Sequence, residues 1–140
     1  MKDFVSWELI DDCVTDIAFY LKDTGKIFKG VFGIPRGGSL LAVMLSHKMN
    51  IPYIDRFDDV NESIIIIDDI VDTGKTMFEI LLRVNDMKPS DVKIVTLLKR
   101  KKNSPPVDHF CFEIDKEWVV GYGLDDNGLK RNYRNIYKIN

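Results

Sequence analysis

The chain has 140 residues, a formal net charge of -2, and 45% hydrophobic and 30% charged residues. This length and composition indicate one globular domain with a core of its own, and they exclude a disordered or collagen-like chain. The near-neutral charge gives no reason to expect nucleic acid or an anionic membrane as a partner. Acidic N-terminal residues and apolar runs well short of about 20 residues argue against a signal peptide or a spanning helix.

The two cysteines, Cys13 and Cys111, show neither a Cys-x-x-Cys spacing nor a metal-ligand spacing with histidine. Isolated cysteines in a chain of this size are typical of free thiols in a reducing compartment. We therefore expect two separate thiols and a cytoplasmic location.

The first third of the chain contains two helical patterns with a strand between them. Ser6 is a candidate N-cap for a helix whose apolar residues recur at three- and four-residue steps until Gly25. An apolar segment, residues 31–34, then runs into residues 35–38, which read Pro-Arg-Gly-Gly, and helical spacing resumes up to Met49. This order predicts a strand, a glycine turn and a second helix.

The middle of the chain has the strongest strand signal. A candidate short strand at residues 52–54 precedes a polar loop, residues 55–62, which has no periodicity. Four consecutive isoleucines, Ile64–Ile67, suit a strand that is buried on both faces at the centre of a parallel sheet. An amphipathic helical pattern then stops before Pro89, and residues 92–98 have the pattern of the next strand.

Strands that alternate with helices at this spacing predict right-handed βαβ units, and therefore an α/β fold with a parallel sheet flanked by helices. From Pro105 onward, short aromatic and β-branched segments predict a small C-terminal hood, residues 105–140, on a single domain of residues 1–140. Ligands of such sheets bind at the carboxyl ends of the strands. In this chain polar clusters occupy those ends, at residues 35–39, 68–76 and 99–102.

The strongest functional signal follows the isoleucine strand, where Asp68 and Asp69 precede a hydroxyl-rich turn, residues 72–76, that opens a helix. Amides at a helix start, the threonine hydroxyls and the close approach allowed by Gly74 suit a bound phosphate. Two acids beside an anion site need another partner, and they are placed to accept hydrogen bonds from the hydroxyls of a ribose. The pattern therefore predicts a site for ribose 5-phosphate.

Two other interpretations of this segment are open. Residues 74–76, Gly-Lys-Thr, resemble the end of a Walker A loop, but Asp69 occupies the position of the first glycine that such a loop requires. This departure argues against a P-loop nucleoside triphosphatase. The segment could also be a plain connection from strand to helix with an N-capping aspartate.

Residues 64–76 resemble the 13-residue signature of the type I phosphoribosyltransferases, which bind 5-phosphoribosyl 1-pyrophosphate (PRPP). The resemblance assigns Asp68 and Asp69 to the ribose hydroxyls. It makes Asp72 a candidate proton acceptor near the purine N7. The residues that it assigns to the 5-phosphate are Asp72, Thr73, Gly74, Lys75 and Thr76.

Residues 34–39 resemble the loop that contacts pyrophosphate in the same family. The match is to the Ser-Arg-Gly-Gly form of the bacterial xanthine-guanine enzymes, with Pro35 in place of the serine. Gly37 and Gly38 let backbone amides face a polyanion, and Arg36 offers a planar fork for phosphate oxygens. Taken alone, Arg-Gly-Gly could equally be a strand-to-helix turn with a solvated arginine.

The C-terminal segment, residues 112–132, resembles that of the hypoxanthine-guanine phosphoribosyltransferases. The resemblance places Trp118 against the purine ring and the Val119 backbone at the edge of the base. It also places Asp125 near Mg²⁺ and Arg131 near pyrophosphate. An aromatic face and a hydrogen-bonding backbone edge suit a flat heterocycle, although a lone tryptophan is more often a core residue.

Lys99 follows the strand pattern at residues 92–98 and matches the family lysine that donates to the purine 6-oxo group. An ammonium group has three donors and no acceptor, so it suits a keto oxygen better than the exocyclic amine of adenine. Lys101 and Lys102 are interpreted as solvated charges, while a weak contact of residues 99–102 with RNA or DNA is an alternative.

The resemblance implies transfer of the phosphoribosyl group from PRPP to hypoxanthine, guanine or xanthine, as in purine salvage. Arg36, Arg131 and Mg²⁺ would stabilise the departing pyrophosphate, and the candidate metal ligands are Asp68, Asp69 and Asp125. The implied partners are PRPP, the purine base and further copies of this chain in a homodimer or homotetramer, with no membrane.

One departure from the family concerns the lid over the reaction. Most members carry a long mobile loop with a Ser-Tyr pair before the signature strand, whereas this chain has only residues 55–62. A short lid excludes water poorly. The alternative hypothesis is therefore a regulatory protein that binds PRPP or a nucleotide without turnover.

Overall fold

The computed structural model describes residues 2–56, 63–87, 91–102 and 104–139. Most of the polar loop that the sequence predicts at residues 55–62 lies outside these ranges. Within them the helices and strands are, in chain order, β1 Lys2–Val5, α1 Trp7–Asp23, β2 Phe28–Gly33, α2 Gly37–Met49, β3 Ser63–Val71, α3 Lys75–Met87, β4 Val92–Arg100, β5 His109–Ile114, β6 Trp118–Val120 and β7 Ile136–Ile139. Among the residues described, none of the helices combines the length and apolar character that crossing a membrane requires.

Four strands form a parallel sheet in the order β2, β3, β4, β5. β3 lies inside the sheet, where Ile65 pairs with Val31 of β2 and with Lys93 of β4. The four consecutive isoleucines of β3, Ile64–Ile67, are fully buried, as β-branched residues in an interior strand should be. The predicted α/β fold, a parallel sheet flanked by helices, is confirmed.

Apolar side chains cover both faces of this sheet. Ile65 and Ile67 belong to a core that includes residues of α1 and α2, whereas Ile64 and Ile66 belong to a second core with residues of α3. Successive side chains of a strand point to opposite faces, so one isoleucine run supplies both cores. β3 is therefore held from both sides, and its carboxyl end has a fixed place in the fold.

α1 begins at the residue that the sequence pattern indicates. The Ser6 hydroxyl accepts a hydrogen bond from the Leu9 amide at 3.3 Å, which caps the helix. The buried residues of this helix recur at the predicted three- and four-residue steps: Ile10, Cys13, Val14, Ile17, Ala18 and Leu21. The apolar residues that the sequence spacing identifies therefore form the face of α1 that packs on the sheet.

A second, antiparallel sheet has the order β1, β7, β6. The N-terminal strand β1 pairs with β7, with Lys2 opposite Lys138, so the hood contains chain from both termini. The sequence pattern indicated no strand before Ser6, because four residues are too few to show a periodicity. Part of the region 105–140 also joins the main sheet, since β5 pairs in parallel with β4.

The candidate strand at residues 52–54 forms only one bridge, between Tyr53 and Val31. Pro52 lacks the amide hydrogen that a continuous ladder needs at its position. The Pro52 carbonyl nevertheless accepts a hydrogen bond from the Val31 amide at 3.0 Å. This segment therefore borders β2 without extending the sheet as a regular strand.

The expectation of two free thiols is wrong. Cys13 on α1 and Cys111 on β5 form a disulfide, with their Cα atoms 5.8 Å apart and a separation of 98 positions in sequence. The pairing arises because α1 packs across the sheet as far as its edge strand, a long-range contact that cysteine spacing does not report. The argument for a reducing compartment that rested on free thiols loses its basis.

We predict that reduction of this disulfide lowers stability without unfolding the chain at room temperature. A cross-link that closes a long loop typically contributes about 2 to 4 kcal/mol, mainly by restricting the unfolded state. Tm measured with dithiothreitol should therefore fall below Tm measured without it. The double variant Cys13→Ala/Cys111→Ala should melt at one temperature in both buffers.

A thiol titration checks the same prediction independently. Protein purified without reductant and then denatured should show no reactive thiol, whereas reduced protein should show both. Two reactive thiols in the unreduced sample, with a Tm indifferent to dithiothreitol, would contradict the disulfide.

Candidate active site

Two adjacent carboxyls, Asp68 and Asp69, lie at the carboxyl end of β3. The two residues are only 9% and 8% exposed. Asp68 Oδ1 accepts a hydrogen bond from the Asp69 amide at 2.9 Å, and Asp69 Oδ1 accepts one from the Ile70 amide at 2.7 Å. The buried Thr96 hydroxyl of β4 donates to the Asp68 carbonyl at 3.1 Å, which ties this strand end to its neighbour.

The environment of the two acids opposes their ionisation. The pKa of Asp68 is raised from 3.8 to about 9. Burial is the larger cause, and the charge of Asp69 is the second. Burial also raises the pKa of Asp69, although hydrogen bonds from its neighbours and the charge of Arg131 oppose that shift. Two neighbouring buried carboxyl groups cannot both ionise at low cost, because their negative charges repel each other and lack water around them. The pair is suited to a ligand that brings hydroxyl donors or a cation.

A turn at residues 72–76 leads from β3 into α3. Gly74 has φ of +84°, in the left-handed region that other residues adopt only with strain. The Lys75 amide lies 3.4 Å from the Thr73 hydroxyl oxygen, at the start of the helix. The first amides of a helix lack partners inside it, and this end of the helix dipole is positive. The turn therefore presents the donors that an anion requires.

The loop between β2 and α2 lies beside the acid pair. The Ile34 amide donates to the Ile67 carbonyl at 2.9 Å, so the parallel ladder continues into this loop. A Cβ at Gly37 would overlap the Asp69 carboxyl, which only glycine avoids. Gly38 packs on the backbone of β3, where a Cβ would come within 2.6 Å of the Ile67 carbonyl oxygen. The two glycines thus bring the start of α2 into direct contact with the end of β3.

The hood supplies a further wall of the site. Arg131 Nη1 donates to the Gly123 carbonyl at 2.6 Å, and Nη2 lies 3.4 Å from Asp125 Oδ2. The buried Nε of Arg131 has no hydrogen-bond partner among the described residues. Gly123 packs against the loop, since a Cβ there would come within 2.6 Å of the Gly37 carbonyl oxygen. The hood thereby fixes the Arg131 guanidinium next to the acid pair.

These segments surround a cavity of about 300 Å³. This volume is at the lower end of the range for small-molecule sites. Predicted site residues that line it are Arg36, Gly37, Asp68, Asp69, Asp72, Thr73, Gly74, Lys75, Thr76, Asp125 and Arg131. Predicted site residues outside its wall are Gly38, Lys99, Trp118 and Val119.

The residues predicted to bind the base lie on neighbouring elements. Trp118, the first residue of β6, is 61% exposed, and Val119 after it is buried. Lys99 Nζ, near the end of β4, lies 5.3 Å from the centre of the Phe110 ring, where an aromatic face attracts a cation. The structure thus brings the residues predicted for PRPP together, while those predicted for the base stand apart from the cavity.

The sequence analysis missed one residue that contacts this site. Arg100 Nε lies 3.4 Å from Asp72 Oδ1. The sequence pattern placed Arg100 only in the basic run of residues 99–102. The available signal was its position, because a charged residue at the carboxyl end of a buried parallel strand faces the ligand edge of the sheet.

Comparison with known proteins decides the family. The family model of the phosphoribosyl transferase domain matches residues 55–127, which is about half of the chain. The chain belongs to the type I phosphoribosyltransferase family. The hypoxanthine-guanine phosphoribosyltransferase of Streptococcus pneumoniae is 38% identical over 76 residues, which are 52% of this chain and 41% of that protein. The match therefore spans about two fifths of this relative.

Solved structures extend the likeness over nearly the whole length of this chain. A hypoxanthine-guanine phosphoribosyltransferase from Bacillus anthracis has a TM-score of 0.88 at 21% identity, covering 99% of this chain and 98% of that one. The hypoxanthine phosphoribosyltransferase of Trypanosoma cruzi, solved with the product IMP, has a TM-score of 0.87 at 21% identity, covering 99% and 89%. At these identities the likeness establishes the fold.

The carboxyls that line this cavity suit a hard divalent cation such as Mg²⁺. Asp68, Asp69 and Asp125 line the same cavity, and Mg²⁺ prefers oxygen ligands. In the described ranges no three His, Cys, Asp or Glu side chains are grouped closely enough to hold a metal ion. The donor set therefore fits a cation that takes some of its ligands from the substrate phosphates.

We predict that the variant Asp68→Asn gains stability over the wild-type protein as pH rises. Because the folded-state pKa of Asp68 is about 9 and the unfolded value is 3.8, the folded chain holds a proton that the unfolded chain releases in this window. Wild-type stability therefore declines between about pH 4 and pH 9, whereas an asparagine does not titrate.

Thermal melting in metal-free buffer at pH 5 and pH 8.5 measures this difference. The gap in Tm between Asp68→Asn and the wild type should widen by about 3 to 5 °C per kcal/mol of added cost. Asp16→Asn, on the exposed face of α1, makes the same chemical change away from the site and should show no such widening. A pH-independent gap for Asp68→Asn would contradict the burial of an acid pair here.

Proposed function

We propose that this phosphoribosyltransferase transfers the 5-phosphoribosyl group of PRPP to a ring nitrogen of hypoxanthine, guanine or xanthine. The single observation that carries the proposal is the meeting of an anion-binding turn, a buried acid pair and an arginine-glycine loop around one cavity. PRPP has one group for each of these: a 5-phosphate, a ribose diol and a pyrophosphate. Membership of the family and the relatives named hypoxanthine-guanine phosphoribosyltransferases support the same reaction.

The ribose phosphate would bind at the end of β3. The 5-phosphate would accept hydrogen bonds from the amides and hydroxyls of residues 73–76, at the positive end of α3. The ribose hydroxyls would donate to Asp68 and Asp69, which are buried at this strand end. This arrangement would hold the sugar at both its 5-phosphate and its hydroxyls.

The pyrophosphate would lie between the loop of residues 36–38 and the hood. Arg36 and Arg131 offer guanidinium forks for its oxygens, and the glycine backbone allows close approach. Asp125, Asp68 and Asp69 would hold Mg²⁺, which when bound supplies charge neutralisation for the leaving group. Positioning and electrostatic stabilisation then account for catalysis without a covalent intermediate on the protein.

The chemical step would exchange one bond at the first carbon of the ribose. The bond from this carbon to the pyrophosphate oxygen breaks, and pyrophosphate leaves with the electron pair. A bond to the purine nitrogen forms as positive charge develops on the ribose. The attacking nitrogen would use its free lone pair, and the proton on N7, the other nitrogen of that ring, would pass to the Asp72 carboxylate, whose side chain is 60% exposed and lines the cavity.

The base would be held by Lys99, Trp118 and Val119. Trp118 offers an exposed aromatic face for stacking, and the Val119 backbone offers a polar edge. The Lys99 ammonium would leave the Phe110 ring to donate to the 6-oxo oxygen. Because a 6-oxo group accepts whereas the adenine amine donates, Lys99 favours oxopurines over adenine.

A panel of nucleobases tests the proposed function. Protein, Mg²⁺ and PRPP are mixed separately with hypoxanthine, guanine, xanthine, adenine, uracil and orotate, and nucleotide is measured by chromatography. We expect nucleoside monophosphate from one or more of the three 6-oxopurines and none from the other bases. Absence of product from all three 6-oxopurines would refute the reaction, and tight nucleotide binding in that case would favour the regulatory hypothesis.

A pair of glycine variants tests whether activity depends on the assigned cavity. Gly37→Ala places a methyl group on the Asp69 carboxyl, so nucleotide synthesis should fall about a hundredfold or more. Gly25→Ala, in an open turn where φ is +72°, costs stability by backbone strain but lies outside the cavity wall. It should retain activity, so that equal losses in the two variants would argue against the assigned cavity.

Two further expectations from the sequence stay predictions. A homodimer or homotetramer is expected from the family resemblance, and light scattering of the purified protein measures it. A cytoplasmic location is the other, and the cysteines no longer support it because they are paired. Both are independent of the reaction that the nucleobase panel tests.

A further inference from the structure

Arg100, the last residue of β4, is withdrawn from solvent although it belongs to a basic run. Its side chain is 15% exposed, whereas Lys101 and Lys102 after it are exposed. A charged group taken out of water is costly unless hydrogen-bond acceptors replace the water. The surroundings of the guanidinium therefore show what holds it in place.

The guanidinium contacts acceptors on two other segments. Nη1 donates to the Asp115 carbonyl at 2.9 Å and to the Glu117 carbonyl at 2.7 Å. Nε lies 3.4 Å from Asp72 Oδ1. A planar fork can meet such diverging acceptors together, which a point-like ammonium does less well. Arg100 thus connects the end of β4, the turn before β6 and the first residue of the phosphate turn.

Both connected segments carry residues that the proposed function assigns to the base. Glu117 directly precedes Trp118, the proposed stacking residue, and Asp72 is the proposed proton acceptor. Because the Asp72 side chain is largely exposed, its ion pair contributes little to folding stability. The effect of the contact is to fix the position of the Asp72 carboxylate relative to the turn that precedes Trp118.

We propose that Arg100 is a positioning residue for the purine, holding the Asp72 carboxylate at a set place relative to Trp118. This inference rests on the proposed function. A base stacked on Trp118 would then meet Asp72 already oriented. The amides and hydroxyls proposed for the 5-phosphate belong to residues 73–76, and the acid pair is held by other contacts, such as that of Gly37 with Asp69. Loss of Arg100 should therefore affect the base and leave PRPP binding nearly unchanged.

Steady-state kinetics of Arg100→Met tests this split. Methionine keeps much of the apolar stem and removes the guanidinium and its contacts. We expect kcat to fall about tenfold to a hundredfold and KM for the purine to rise about tenfold, while KM for PRPP stays within about twofold. Lys102→Met, in the same basic run, is the matched control and should leave all three constants unchanged.

Two additional variants separate positioning from folding. Arg100→Lys keeps a charge that can reach one acceptor, so it should recover part of kcat and give a purine KM between those of wild type and Arg100→Met. Asp72→Asn removes the group through which Arg100 is proposed to act. Adding Arg100→Met to Asp72→Asn should therefore lower kcat less than Arg100→Met does alone. A merely structural role would give additive losses.

Each result decides one of the two proposals. Equal rises of both KM values, or additive losses in the double variant, would overturn the positioning role while an active wild type upholds the proposed function. If Arg100→Met does not fold, as judged by Tm, the Arg100→Lys constants carry the test, and an unshifted purine KM overturns the inference. A wild-type protein that makes no nucleotide from any base overturns the proposed function and this inference with it.

Discussion

The burial of two neighbouring carboxyls at the end of β3 is the constraint on which the rest of the site depends. A strand that is buried on both faces has no freedom to turn its last residues toward water, so Asp68 and Asp69 stay in a nearly dry place. Their raised pKa values express the resulting cost. The proposed function relieves this cost with a ligand that carries both hydroxyls and phosphate.

The remaining walls are arranged around this pair by close backbone contacts. The loop before α2 reaches the Asp69 carboxyl because Gly37 has no side chain, and Gly123 lets the hood pack on that same loop. Arg131 is held in turn by the Gly123 carbonyl and by Asp125. These contacts connect β3 to the hood in sequence. A displacement at any of them would move the Arg131 guanidinium relative to Asp68 and Asp69.

Local patterns in the sequence predicted much of this architecture. The spacing of apolar residues predicted α1, and the isoleucine run predicted the interior strand. The acids and the turn after it were predicted as site residues, and they line one cavity. Features made by distant residues were not predictable. The Cys13–Cys111 disulfide, the pairing of β1 with β7 and the contacts of Arg100 all depend on which elements pack together. The position of Lys99 against Phe110 is a further case, because a rotamer choice leaves no trace in spacing.

A crystal structure of the protein with IMP bound is the most direct measurement of the central claim. The account predicts the 5-phosphate within hydrogen-bond distance of the amides of residues 73–76, and the ribose hydroxyls at the carboxyls of Asp68 and Asp69. Calorimetry on the same sample should give a single binding site that Asp69→Asn weakens. A nucleotide that lies elsewhere with these carboxyls untouched, or no association at millimolar concentration, would contradict the account.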